Sequence, residues 1–121
     1  GKAPAIRAFD FLNYNPLFYY DDGTTDRMIE WVNEKGGIVT ASYHWFCPAD
    51  MSKYELGERV EWEDSAFYVN GAGGNVANTN FDVSKVSDTT SLEYQYVMLS
   101  LEKLATSGSL APEFSASISS N

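Results

Sequence analysis

Two strand-like segments with one helical segment between them limit the possible folds of this chain more than any other feature. Residues 5–12 and 38–45 alternate as β-strands do, and residues 25–34 have their apolar side chains at helical spacing. Strand, helix and strand within roughly forty residues form a βαβ unit, which implies two parallel strands. Because two parallel strands do not make a stable sheet alone, the sequence predicts a segment of a larger α/β protein.

The rest of the chain divides into a long connection, a second helix and a tail. Residues 46–80 show little periodicity, and a connection of that length is uncommon unless it serves binding. Thr90 and Glu93 have the spacing of a capping box, which predicts a helix over residues 91–105. That helix would present one apolar stripe, formed by Tyr94, Val97, Met98, Leu101 and Leu104. We expect residues 1–105 to form the barrel-like segment and residues 106–121, which are rich in serine, to form a tail or linker.

One polar side chain stands near the end of each predicted strand. Alternation places Asp10 on the same face as Ile6 and Ala8, and His44 on the same face as Thr40 and Ser42. If these faces line the interior of a barrel, Asp10 and His44 both point to its mouth, where barrel enzymes have their active sites. A lone histidine near a strand end is more often a hydrogen-bonded structural residue, and Asp10 alone is open to the same interpretation. Their agreement on one face favours a functional site.

Trp62 lies in an acidic stretch of the long connection, Glu61-Trp62-Glu63-Asp64. It is either a loop anchor packed against the body of the protein or a platform on which a sugar ring stacks, and composition does not separate the two. The acidic neighbours are typical of a solvated loop. Cys47 has no basic neighbour and is expected to be inert. No phosphate-binding loop or zinc spacing is present, so we expect no metal and no cofactor.

Composition narrows the class of partner. The chain has 17 acidic and 8 basic residues, a formal net charge of −9, and 15% aromatic residues. Such a charge works against binding nucleic acid or an anionic membrane, since both require basic residues to neutralise phosphates. No apolar run has the ~20 residues that span a bilayer, and the first residues lack the pattern of a signal peptide. A neutral polysaccharide remains compatible with these features.

Several motifs together resemble a known family. They are PAIRAFDFLNYNP (Pro4 to Pro16), GGIVTASYHWFCP (Gly36 to Pro48), Phe67-Tyr68 and FDVSK (Phe81 to Lys85). With the capped helix that follows, they are similar to the segment from the second strand to the third helix of family 26 glycoside hydrolases, over about residues 3 to 105. The most specific element is the pairing of a strand that ends in Phe-Asp-Phe with one that ends in His-Trp.

The resemblance implies a secreted (β/α)₈ barrel that cleaves β-1,4-mannosidic bonds with retention of configuration, through two glutamates. Those glutamates belong to later strands of the family. Glu93, Glu102 and Glu113 lie in or after the last helix and match neither. By resemblance, His44 and, more loosely, Trp62 contact the substrate, and Asp10, which matches the strand motif, is expected to bind it with them. The chain departs from the family pattern at Tyr43 and in the stretch before Phe81.

The alternative function is a non-catalytic carbohydrate-binding module, although such modules are usually β-sandwiches without helices.

Overall fold

Two parallel strands and a crossover helix form the first part of the structure. A computed structural model describes residues 5–66 and 78–108. Strand β1 spans Ile6–Asp10 and β2 spans Ile38–Ser42; they pair in parallel, from Ile6 opposite Ile38 to Asp10 opposite Ser42. Helix α1, Thr24–Asn33, connects them. The predicted βαβ unit is therefore present, and both strands are shorter than their alternating segments because the chain leaves the sheet for the turns that form the site.

The return from α1 to β2 depends on two glycines. Gly36 has φ +64°, a left-handed conformation that disfavours residues with a side chain. At Gly37, a Cβ atom would lie 2.0 Å from the indole nitrogen of Trp31. That indole donates a hydrogen bond of 3.2 Å to the carbonyl of Ala5, just before β1. The glycine pair thus lets Trp31 close the end of the helix over the start of the sheet.

The two faces of the sheet have different surroundings, in agreement with the alternation. Phe9 is buried, and the guanidinium of Arg7 lies over the rings of Phe9 and Trp31 at 4.9 and 5.1 Å, so this face packs on α1. On the opposite face Ile6 is 66% exposed and Ile38 49% exposed. The face that carries Asp10 is therefore open in this chain.

The main hydrophobic core lies beyond the carboxyl ends of the strands. It consists of residues from the turns after β1, the connection after β2 and the second helix: Leu17, Phe46, Cys47, Tyr54, Ala66 and Tyr96. The long connection contains short 3₁₀ turns at Met51–Lys53 and Trp62–Asp64, and an isolated antiparallel bridge joins Pro48 to Ser65. Phe67-Tyr68 and residues 70–77 of the Gly/Asn-rich stretch lie outside the described residues.

Helix α2 spans Leu92–Thr106, but its predicted capping box was wrong. Ser91, not Thr90, is the N-cap, and its hydroxyl accepts a hydrogen bond of 3.0 Å from the backbone N–H of Tyr94. Glu93 instead accepts a 3.1 Å bond from the backbone N–H of Asp82. Its carboxylate therefore ties the helix to the preceding turn, at Val83–Lys85, rather than capping its own helix.

The apolar stripe of α2 is not the side of the helix that is most buried. The residues buried on α2 are Glu93, Tyr96 and Ser100, whereas Met98 is 47% and Leu101 52% exposed. The polar groups are buried because each is paired: the Tyr96 hydroxyl donates to the carbonyl of Phe46, and Ser100 accepts a 2.8 Å bond from Trp45 Nε1. An apolar stripe thus fails to identify the packed side of a helix whose buried side is held by paired polar groups.

The beginning of the predicted tail is attached to the body of the protein. The hydroxyls of Ser107 and Tyr19 lie 2.8 Å apart, and the backbone N–H of Gly108 donates to Asp21 at 2.9 Å. Residues 109–121 lie outside the described part, so the division at residue 105 stays a prediction. Within the described ranges, no helix combines the length and apolar character that crossing a membrane requires.

Candidate functional site

Asp10 and His44 meet at the carboxyl ends of the two strands. Asp10 is the last residue of β1, and His44 follows β2 by two residues, so the parallel pairing brings both to one edge. His44 Nδ1 is hydrogen-bonded to Asp10 Oδ2. The other carboxylate oxygen accepts from the backbone N–H of His44 at 3.3 Å and of Leu12 at 3.0 Å. The structure thus brings together the two residues that alternation had placed on one face.

The pair differs in exposure. The His44 side chain is 67% exposed, whereas that of Asp10 is 34% exposed. One edge of the imidazole is held by the carboxylate, and the ring remains open to a ligand from solvent. An exposed ring held by a less exposed carboxylate is suited to hydrogen bonding with a polar ligand.

Asn15 also holds His44, and sequence reasoning missed this role. Its side chain is fully buried: Nδ2 donates to the carbonyls of His44 at 2.8 Å and Leu12 at 2.6 Å, and Oδ1 accepts from the backbone N–H of Phe46 at 2.7 Å. The signal available in the sequence was the Asn-Pro pair, which indicates a turn. A turn residue is ordinarily exposed, so the pattern gave no sign of its burial.

Trp62 is half-buried and packs against the hydrophobic core. Its ring centroid lies 5.3 Å from that of Phe18 and 5.5 Å from that of Phe46, the latter in an edge-to-face arrangement. The turn is fixed by Ser65, whose hydroxyl donates to the carbonyl of Trp62 at 2.8 Å. Trp62 therefore packs as an anchor would, while its partial exposure leaves part of the ring for stacking. Whether it also binds a sugar stays a prediction.

The remaining reactive side chains give little indication of further chemistry. Cys47 is buried, and burial raises the pKa of its thiol, which keeps it protonated and unreactive. Glu61, Glu63 and Asp64 are exposed. Over residues 5–66 and 78–108, no three histidine, cysteine or acidic side chains cluster in a way that could hold a metal ion.

Comparison with known proteins connects this geometry to one family of enzymes. No protein-family model matches the chain. A mannan endo-1,4-β-mannosidase of Thermothelomyces thermophilus is 31% identical over 109 residues, which cover 87% of this chain and 20% of that protein. The crystal structure of a ruminal GH26 endo-β-1,4-mannanase superposes with a TM-score of 0.72 at 41% identity, over 86% of this chain and 20% of that one.

These similarities confirm the predicted family resemblance and the predicted fold class. The chain is a family 26 mannanase-like segment, and its two parallel strands with flanking helices are a partial (β/α) barrel. It spans about a fifth of the length of the relatives it matches. The parallel strands joined by a helix also argue against the alternative of a β-sandwich binding module.

Proposed function

We propose that this family 26 mannanase-like segment forms one wall of the substrate cleft in a secreted, retaining endo-β-1,4-mannanase. In this proposal His44 and Trp62 contact the polysaccharide, Asp10 supports the site beside them, and both catalytic glutamates come from outside the chain. The observation that carries the proposal is the exposed imidazole of His44, held by Asp10 at the carboxyl ends of two parallel strands.

The chemistry of the wall suits a neutral sugar chain. Mannan carries hydroxyl groups, which both donate and accept hydrogen bonds, and an imidazole can form either kind of bond. An indole face can support the apolar side of a sugar ring. The net charge of −9 repels anionic polymers but has no such effect on an uncharged polysaccharide.

The described carboxylates support a binding role rather than a catalytic one. Retaining hydrolysis needs an acid and a nucleophile about 5 Å apart on opposite sides of the bond. Asp10 already accepts from three protein groups, and Glu93 is buried against the backbone N–H of Asp82. Neither is placed as a free member of such a pair.

The proposal is tested by separating binding from hydrolysis in the purified 121-residue chain. We expect manno-oligosaccharides to bind measurably by calorimetry, and His44→Ala to weaken that binding. Incubation with a soluble mannan should release no reducing ends above a protein-free control.

Two results would contradict the proposal. Unchanged affinity in His44→Ala, measured in a longer enzyme that carries this segment, would remove the role of the wall in the cleft. Hydrolysis that survives Asp10→Asn would mean that the catalytic acids lie elsewhere in this chain, and hydrolysis abolished by Asp10→Asn would make Asp10 one of them.

A further inference from the structure

We infer that Asp10 acts on the ligand only through His44, as a positioning residue that fixes the ring proton on Nδ1 and leaves Nε2 as a hydrogen-bond acceptor facing the cleft. This inference deepens the proposed function, and its role in sugar binding rests on that function. It assigns Asp10 a different task from the direct substrate contact predicted from the sequence.

The hydrogen bonds of Asp10 leave it little capacity for a ligand. A carboxylate offers about four acceptor positions. Here Oδ1 accepts the backbone N–H groups of Leu12 and His44, and Oδ2 is bonded to His44 Nδ1. Asp10 is also the less exposed member of the pair. A ligand therefore meets the imidazole before it meets the carboxylate.

The ring contact determines which nitrogen carries the proton. An ionised carboxylate only accepts, so the Nδ1 atom that faces it must be the donor. In the neutral ring the other nitrogen, Nε2, is then an acceptor, ready for a sugar hydroxyl. Free histidine prefers the opposite tautomer, in which Nε2 carries the proton. Asp10 thus reverses the hydrogen-bonding character of the exposed edge of His44.

The backbone of His44 is held independently of its ring. Asp10 Oδ1 accepts a hydrogen bond from the N–H of His44, and Asn15 Nδ2 donates one to the carbonyl of His44. A purely structural role for Asp10 would need only the Oδ1 bonds, which close the turn after β1. The Oδ2 bond to the ring adds nothing to that turn. This bond therefore serves to orient the imidazole and not to hold the fold.

The test uses the fact that His44 is the only histidine in the 121 residues. In uniformly ¹⁵N-labelled chain at pH 8, where an unperturbed histidine is neutral, long-range ¹H–¹⁵N spectra report the ring tautomer of this residue alone. We expect the Nδ1–H tautomer in the wild type. Asp10→Asn should give the Nε2–H tautomer, because an amide that keeps its oxygen on the two backbone N–H groups turns its NH₂ donor toward the ring.

Asp88→Asn is the matched control. It removes the same charge from a carboxylate that serves a local turn, where Asp88 accepts from the backbone N–H and hydroxyl of Thr90. This variant should keep the Nδ1–H tautomer. A structural disturbance from losing one aspartate charge would instead affect both variants.

Three spectral outcomes would overturn the inference: a wild-type Nε2–H tautomer, a wild-type ring protonated on both nitrogens at pH 8, or an unchanged tautomer in Asp10→Asn.

Titration with a manno-oligosaccharide gives the second readout. Asp10→Asn should weaken binding about three- to tenfold, the value of one hydrogen bond, and should add nothing to His44→Ala. A further loss in the double variant would mean that Asp10 touches the ligand directly. If the tautomer reverses as expected but His44→Ala binds normally, the positioning role stands and the proposed function fails.

Discussion

Replacing Asn15 by alanine should destabilise the chain strongly, although Asn15 touches no ligand in our proposal. The change leaves two backbone groups without their partner, the carbonyl of His44 and the N–H of Phe46. The carbonyl of Leu12 keeps a 3.2 Å bond from the backbone N–H of residue 15. The bond to the N–H of Phe46 is buried, and an unsatisfied buried group costs about 1–3 kcal/mol; the part-buried bond to the carbonyl of His44 adds a smaller loss. The backbone at Asn15, with φ −60° and ψ 136°, is open to alanine, so strain adds nothing.

The assay is urea unfolding of the 121-residue chain at pH 7, with the free energy of unfolding extrapolated to water. Asn33→Ala is the control, because Asn33 is an exposed residue at the end of α1, where substitutions usually change stability by less than about 0.5 kcal/mol. A loss below about 1 kcal/mol in Asn15→Ala, or one equal to that of the control, would refute the reasoning. It would mean that water replaces the asparagine and that His44 is not held through its carbonyl.

Three further predictions concern the site and the response to acid. In a longer enzyme that carries this segment, His44→Ala should lower turnover about 10²-fold or more if the imidazole binds the transition state. The melting temperature should change little, because the ring is largely exposed; normal turnover or loss of folding would return His44 to a structural role. Trp62→Ala should weaken manno-oligosaccharide binding and also lower the free energy of unfolding by about 1–3 kcal/mol, since the ring packs on Phe18 and Phe46; lower stability with unchanged affinity would make it an anchor alone. Backbone N–H groups, first that of Gly108, lower the pKa of Asp21, so its stabilising effect should be complete above about pH 4 and lost as the pH falls further. Unfolding curves from pH 7 to 2 should show a smaller acid loss in Asp21→Asn, and an equal loss would contradict this.

The features that the sequence predicted correctly depend on local periodicity. Alternation with period two placed Asp10 and His44 on one face, and parallel pairing then had to bring the ends of β1 and β2 to the same edge. By the same alternation Phe9 lies on the opposite face of β1, which packs on α1, and it is buried. None of these required knowledge of long-range packing. The boundaries of α1 also followed closely, because its apolar spacing is a local signal.

The features that sequence reasoning missed depend on partners distant in the chain. Asn15 is buried because its amide satisfies groups 29 and 31 residues away, on His44 and Phe46, and an Asn-Pro turn motif carries no information about them. The buried side of α2 is likewise decided by Tyr96, whose hydroxyl bonds the carbonyl of Phe46, 50 residues earlier. In both cases a polar side chain is buried because a particular backbone group needs a hydrogen-bond partner. The pattern of hydrophobic residues carries no information about such partners.

The location of the site has a common physical cause with the burial of Asn15. Where a parallel strand ends, the next backbone N–H and C=O groups lose their ladder partners and must be satisfied by other means if water is excluded. After β2 those groups belong to His44 and Phe46, and they are satisfied by Asp10, at the end of the neighbouring strand, and by Asn15, in the turns that follow that strand. A carboxylate placed there for the backbone has a second oxygen, and at Asp10 that oxygen faces the imidazole. The structural and functional interpretations of Asp10 are therefore not alternatives: Oδ1 closes the turn, and through that bond Oδ2 is held where it can orient His44.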